Sequence, residues 1–373
     1  MASLPTAEAL SFDLEPWLDG RGPVVTVWLP TPSATDEARE RLRLEWKNVR
    51  DRIAEAPPAE TLAALDEATA DPSLHAEGHS VVLYGRGDDV ALVPMADEVE
   101  GARAHVAALP HLSPLIVARQ GAVPHLVVIT DRVGADIAVV GPAGAADTEA
   151  VEGETEHITR SAPGGWSQRR FQQRAENTWE RNAADVADTV DRLRREVGAR
   201  LVVVVGDERA VQFLTDHASA ELASVLEVVV GAGRNDAPPS DGVPDDVARL
   251  VATVAAADTV DVLDRFGAAR NAGGPGAAAD GPVQTMEMLS QGRVDVLLVA
   301  VDEADERTAC IDLATGQLAP DATPLRELGL DPVEAPLVDA AIWAALRSGA
   351  AVHVVPAHGT NAPRAGVAAL LRG

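Results

Sequence analysis

The sequence predicts an α/β protein of three domains, each a mixed sheet with flanking helices. Two observations carry this. Short β-branched runs alternate with longer stretches whose apolar residues recur every three to four positions, the pattern of strands and helices packed in layers. Stretches rich in Pro, Gly and Ala near 110–124 and at 268–282 interrupt the alternation and divide the chain into residues 1–120, 121–270 and 280–373.

The elements follow in order. Residues 23–29 (Pro-Val-Val-Thr-Val-Trp-Leu) read as a buried strand. Thr35 to Ile53 read as a helix with Asp36 and Glu37 in its first turn and Leu42, Trp46, Val49 and Ile53 on its apolar face. Strands are expected at 79–84 and 89–94, and paired strands at 125–130 and 136–140. Residues 147–156 carry Asp147, Glu149, Glu152, Glu154 and Glu156 and read as a mobile acidic loop. From Arg170, an apolar stripe (Phe171, Ala175, Trp179, Ala183, Val186, Val190, Leu193, Val197) predicts a long helix closed by Gly198. A buried strand at 201–205, helices near 208–219 and 244–265, and a strand at 226–230 complete the middle region. Residues 268–282 read as a linker. After it come a helix at 282–291, a strand at 294–300, a helix at 336–348 and a strand at 350–355.

Composition narrows the function classes. The formal net charge is −27, which argues against loose, non-specific nucleic-acid binding but leaves room for a local basic contact. Cys310 is the single cysteine, so neither an intrachain disulfide nor a Cys-based zinc site is expected. Residues 1–20 hold Glu8, Asp13, Glu15 and Asp19, unlike a signal peptide, and no apolar run approaches the roughly 18–20 residues that cross a bilayer. A cytoplasmic protein without membrane contact is expected. No phosphate-binding loop and no Gly-x-Ser-x-Gly motif is present, so no cofactor and no hydrolase triad is expected. His75 and His79 stand four apart, but Gly78 and the lack of a third ligand argue against metal. Asp131-Arg132 and Asp207-Glu208-Arg209 follow strands and read as turn and cap residues.

The most informative segment is Gly164-Gly165-Trp166-Ser167-Gln168-Arg169-Arg170-Phe171. The glycine pair lets the main chain approach a surface closely. Five arginines (160, 169, 170, 174, 181) face two glutamates (176, 180) between residues 160 and 181, a local charge of about +3 inside an acidic protein. Arginine matches phosphate oxygens bidentately, and Trp166 can stack on a base. The plainer reading is a surface turn whose arginines pair with the acidic 147–156 stretch. A second basic set, Arg39, Arg43, Lys47 and Arg50, shares one helix face. It reads either as an RNA-backbone contact or as a solvated face laced with Glu40, Glu45 and Asp51.

The segment resembles the signature loop of the archaeo-eukaryotic class of translation termination factors, Gly-Gly-Gln-Ser, two residues, Arg-Phe, then an Arg-rich helix. Gly164, Gly165, Ser167, Arg170 and Phe171 match it without a gap. Residues 203–206 (Val-Val-Val-Gly) resemble the next strand of that middle domain, and Gly366 to Arg372 resemble the close of the family's C-terminal domain. The whole resembles the family's bacterial branch, akin to Pelota, with its ribosome hibernation factors. The resemblance implies a three-domain release-factor-like architecture and a monomer bound to ribosomal RNA of both subunits. It implies that the first domain reaches the decoding centre and that Gly164, Gly165, Trp166, Ser167, Gln168, Arg169, Arg170 and Arg174 enter the peptidyl-transferase centre. The C-terminal domain is implied to dock elongation factor Tu or a similar translational GTPase. One position departs. The family's third loop residue is the glutamine that helps water attack peptidyl-tRNA, and here it is Trp166, whose indole donates one hydrogen bond and accepts none. The expectation is therefore a non-catalytic occupant of the vacant A site. The alternative is a peptidyl-tRNA hydrolase that uses Gln168.

Overall fold

The N-terminal strands pack on both of their faces. In the computed structural model, β1 (Val24–Pro30), β2 (Ser80–Arg86), β3 (Asp89–Met95) and β4 (Arg103–Ala107) form an antiparallel sheet of order β3-β2-β1-β4. Side chains alternate across a strand. Val25, Val27 and Leu29 meet Leu42, Trp46 and Val49 of α1 (Asp36–Ile53) and Leu65 of α2 (Ala59–Ala70). Val24 and Trp28 turn to the other face, into a core shared with Leu115 and Ile116 of α3 (Ser113–Gly121). This explains why β1 reads as an apolar run broken only by the buried Thr26. The structure describes residues 22–31, 36–53, 56–71, 80–95, 99, 101–141, 146–152, 166–229, 243–272, 276–300 and 305–372. The chain divides into two compact units, residues 1–120 with 258–373, and residues 121–257.

The second unit holds β5 (His125–Thr130), β6 (Gly134–Val140), β7 (Ala146–Glu152), α4 (Trp166–Val197), β8 (Leu201–Gly206), α5 (Glu208–His217), α6 (Ala220–Ala223), β9 (Leu226–Val229) and the start of α7 (Val243–Asn271). Its sheet runs β7-β6-β5-β8-β9, parallel across β5, β8 and β9 and antiparallel across β5, β6 and β7. β8 is covered on both faces. Val202 and Val204 meet Val186, Val190 and Leu193 of α4, while Leu201, Val203 and Val205 meet Val243 of α7. The tight β5–β8 pairing requires Gly206, because a Cβ there would lie 1.9 Å from the Thr130 carbonyl oxygen.

Two sequence expectations change here. Residues 146–152 are not a loop but an edge strand, paired along their length with β6. Glu149 and Val151 lie on one face: Val151 joins the α4 core, and Glu149 accepts a hydrogen bond from Arg192 of α4 at 2.6 Å. Charge on an edge strand discourages pairing with other chains, so acidity and strand structure coexist. Residues 153–156 lie outside the described residues. Helix α4 begins at Trp166, four residues before the expected Arg170. Its end is as read: Gly198 has φ +66°, and the Ala199 amide donates to the Arg194 carbonyl at 2.8 Å.

The C-terminal part of the first unit comprises β10 (Ala278–Asp280), α8 (Pro282–Ser290), β11 (Val294–Val299), β12 (Thr308–Ile311), β13 (Leu318–Ala319), α9 (Thr323–Glu327), β14 (Val333–Pro336), α10 (Leu337–Arg347), β15 (Ala351–Val354) and β16 (Val367–Leu371). They build a sheet of order β10-β16-β11-β15 and a smaller one of order β13-β12-β14. Helix α10 is the hub. Ala340, Ala341, Ile342, Trp343, Ala344 and Ala345 are each at most 2% exposed, so the helix is covered all round. The expected linker 268–282 is a further correction. Helix α7 continues to Asn271, and β10 pairs with β16. Short alanine side chains suit a strand packed this closely, and Gly281 at φ +100° turns it into α8, which Pro282 starts. The fold class is α/β as expected: mixed sheets with flanking helices.

Candidate functional site

Helix α4 spans 32 residues, about 48 Å at 1.5 Å per residue. Its middle is anchored by one polar cluster. Arg132, in the turn between β5 and β6, lies 4.7 Å from the centre of the Trp179 ring. The same guanidinium donates to Asp207 at 3.3 and 3.1 Å. Asn182 donates to the Arg132 carbonyl at 3.2 Å. Asp207 also caps α5, accepting from the amides of Arg209 and Ala210. Asp131 accepts from the amides of Val133 and Gly134. The two Asp-containing motifs are thus the turn and cap groups the sequence implies. The Arg132 hydrogen bond holds the Asp207 carboxyl below the usual carboxylate range. The cluster fixes α4 to the sheet, and Trp166 stands about 20 Å further along the helix.

The expected site residues fall on and before this helix. Trp166, Ser167, Gln168, Arg169, Arg170 and Arg174 occupy its first turns. Their side chains, and the whole of Gly164 and Gly165, lie outside the described residues. A helix N-terminus favours negative charge, so an anion at these turns would meet the helix dipole and the arginines together.

On α1, Arg43 and Lys47 are exposed, with Arg43 3.8 Å from Glu40. Arg39 is half-buried. Arg50 pairs with Asp66 of α2 at 2.9 Å, and Asp66 also accepts from the Trp46 indole at 2.8 Å. Arg50 therefore ties α1 to α2, and a phosphate would have to compete with Asp66 for it. His75 and His79 lie outside the described residues.

A second cluster escaped the sequence reading. A cavity of about 510 Å³ opens within the first unit, with Trp28, Met95, Val117 and Leu337 among its apolar walls. His105 of β4, His111 of the β4–α3 connection and Asp339 in the first turn of α10 meet at its edge. His111 Nδ1 and Asp339 Oδ1 are hydrogen-bonded at 2.8 Å, and His111 Nε2 lies 3.2 Å from Ser113 Oγ. The His111 amide donates to Thr26 Oγ1 at 3.1 Å, fixing the backbone against β1. Burial pushes the His105 pKa down, partly opposed by Asp339. His111 and Asp339 are 228 positions apart, so no local motif exists. The available signal was one acidic residue, Asp339, in an otherwise apolar helical run.

Residues 124–272 match the model of bacterial archaeo-eukaryotic release factor family 2. None of the curated proteins matches. Among solved structures, Archaeoglobus fulgidus Pelota is 17% identical over 79% of this chain and 81% of that one, with a TM-score of 0.36. Dom34 of S. cerevisiae, a termination-like factor of RNA quality control that interacts with Hbs1, is 10% identical over 78% and 80%, at 0.38. An archaeal termination factor, aRF1, is 16% identical over 99% of both chains, at 0.26. Likeness this loose carries no function across. Among the described residues no helix is long and apolar enough to cross a membrane.

Proposed function

From the premise that the chain is bacterial archaeo-eukaryotic release factor-like, with residues 124–272 carrying the match, we propose that it binds the vacant A site of the ribosome and blocks it without cutting peptidyl-tRNA. One observation carries the reading. Trp166 occupies the position of the hydrolytic glutamine while Gly164, Gly165, Ser167, Arg170 and Phe171 keep the loop's frame. Water attack on an ester needs a group that accepts a hydrogen bond from the water and aligns it, and an indole cannot accept one. A flat, rigid ring instead fills space and stacks on a base.

In this reading α4 is a stiff arm. The Arg132–Trp179–Asp207 cluster holds it, and its first turns bring Arg169, Arg170 and Arg174 to rRNA phosphates in the peptidyl-transferase centre. Arg39, Arg43 and Lys47 contact rRNA from the first domain of a three-domain arrangement (1–120, 121–270, 280–373). Elongation factor Tu, or a GTPase like it, is the proposed partner of the last domain. Occupying the A site holds idle ribosomes in a protected, hibernating state.

Ester hydrolysis on ribosomes loaded with peptidyl-tRNA tests the proposal. Wild-type protein is expected to co-sediment with the ribosomes and to release no more peptide than buffer does. Release that disappears in Gln168→Ala, with binding retained, would make the protein a hydrolase and overturn the reading.

A further inference from the structure

We infer that His105, His111 and Asp339 form a binding site for one divalent transition-metal ion, with a remaining coordination position open to the adjoining cavity. The inference does not depend on the ribosomal role.

Asp339 is 2% exposed on a helix otherwise covered by apolar contacts. Its Oδ1 is bonded to His111, but its Oδ2 is buried with no hydrogen-bond partner. Facing it is His105 Nε2, also buried and without a hydrogen-bond partner. The two atoms are 3.8 Å apart, too far for a hydrogen bond. Buried polar atoms left unsatisfied are rare and costly, and two that face each other point to something between them.

A metal ion fits that gap. With Zn–N and Zn–O bonds of about 2.0–2.2 Å, neighbouring ligand atoms of a tetrahedral ion stand about 3.3–3.5 Å apart. The 3.8 Å between His105 and Asp339 and the 2.8 Å between His111 and Asp339 bracket that spacing, and the three donor atoms lie within 4.8 Å of one another. Side-chain adjustments of about an ångström, the largest for donors near the 4.8 Å limit, close the site. The imidazole rings have centroids 5.2 Å apart and planes inclined at 41°, so they converge without stacking. The ion takes the place of the hydrogen between His111 Nδ1 and Asp339 Oδ1, and the neutral ring then carries its one proton on Nε2.

The surroundings select the ion and orient its ligands. Two imidazoles and one carboxylate favour zinc or another first-row divalent ion over magnesium or calcium, which prefer all-oxygen sites. With the metal on Nδ1, His111 Nε2–H donates to Ser113 Oγ, 3.2 Å away, which holds the ring in place, the usual task of a group behind a ligand. Ser113, His111 and Asp339 also stand in the order of a nucleophile, base and acid. Ser113 is fully buried, however, so its hydroxyl orients the histidine and attacks nothing.

Zinc competition against a chromophoric chelator tests the site, using full-length protein without a histidine tag and stripped of metal. Wild-type protein is expected to bind one equivalent. His105→Gln, a change at a half-exposed side chain, should weaken binding by at least about 100-fold. A His75→Gln/His79→Gln double variant should bind as the wild type does. No stoichiometric binding by wild type, undiminished binding by His105→Gln, or abolished binding in the double variant would each overturn the inference. Cobalt(II) in wild-type protein gives a readout that needs no variant. Intense visible bands of a four- or five-coordinate ion are expected, and the weak spectrum of a hydrated ion would contradict the site.

Discussion

The first turns of α4 and the cavity edge beside α10 are opposite solutions to placing chemistry on a fold. The α4 segment is contiguous, polar and rich in positive charge, and its residues follow one another in sequence. The His105–His111–Asp339 cluster is drawn from β4, a connection and α10, and is partly buried beside a core helix. A site of the first kind is expected to change by substitution at little cost to folding. A site of the second kind is bound to the stability of the unit that contains it. The two should therefore respond differently to mutation.

The largest effect is expected at the hub. Trp343 is 1% exposed in α10, four residues after Asp339, and Trp343→Ala should cost about 3–5 kcal/mol of stability through the cavity it leaves. Urea denaturation measures this. A destabilisation below about 1 kcal/mol would mean that α10 is not the hub and would weaken the contrast.

Acid comes next. His353 of β15 is 2% exposed, and burial lowers its pKa from 6.5 to about 4. Thr259 of α7 lies 3.0 Å from its Nε2. The unfolded chain therefore binds this proton more readily than the folded one, so stability is full above about pH 6.5 and falls as pH drops towards 4. The contribution is about 3 kcal/mol over that window. Denaturation midpoints across the window should show a decline that His353→Gln removes. An unchanged decline in the variant would assign the acid sensitivity to other groups.

The strand at 201–205 and the apolar stripe of α4 were legible, because burial on both faces gives continuous β-branched runs and burial on one face gives a 3.6-residue period. The edge strand β7 was not, because its acidic residues mimic a solvated loop and its pairing with β6 is tertiary information. β10 was hidden by an alanine-glycine composition shared with linkers. The segment at 164–171 was legible because its residues are adjacent. The histidine–aspartate cluster was not, because a sequence does not show that position 111 meets position 339.

Smaller effects sharpen the comparison within the second unit. Arg132→Ala removes an ion pair and the stacking on Trp179. Since both charged groups are substantially exposed, the expected destabilisation is only about 1 kcal/mol. The informative readout is amide exchange near Trp179, which should rise more than exchange elsewhere in the unit. Uniform exchange would mean that the cluster does not fix the arm.

The smallest stability effect is expected at the arm's first turns. Replacing Arg169, Arg170 and Arg174 by alanine should change stability by less than about 0.5 kcal/mol. Ribosome affinity should nevertheless fall, and its dependence on salt should flatten by up to about 0.7–0.9 logarithmic units for each arginine–phosphate pair removed. A weaker affinity with an unaltered salt slope would place the phosphate-binding groups elsewhere.

Chemical footprinting of ribosomal RNA tests the central claim most directly, using vacant ribosomes with saturating wild-type protein or the Trp166→Ala variant. The account predicts that wild-type protein protects bases of the peptidyl-transferase centre and the decoding centre, and that Trp166→Ala fails to protect the former alone. Bound protein that leaves the peptidyl-transferase centre fully reactive would contradict it.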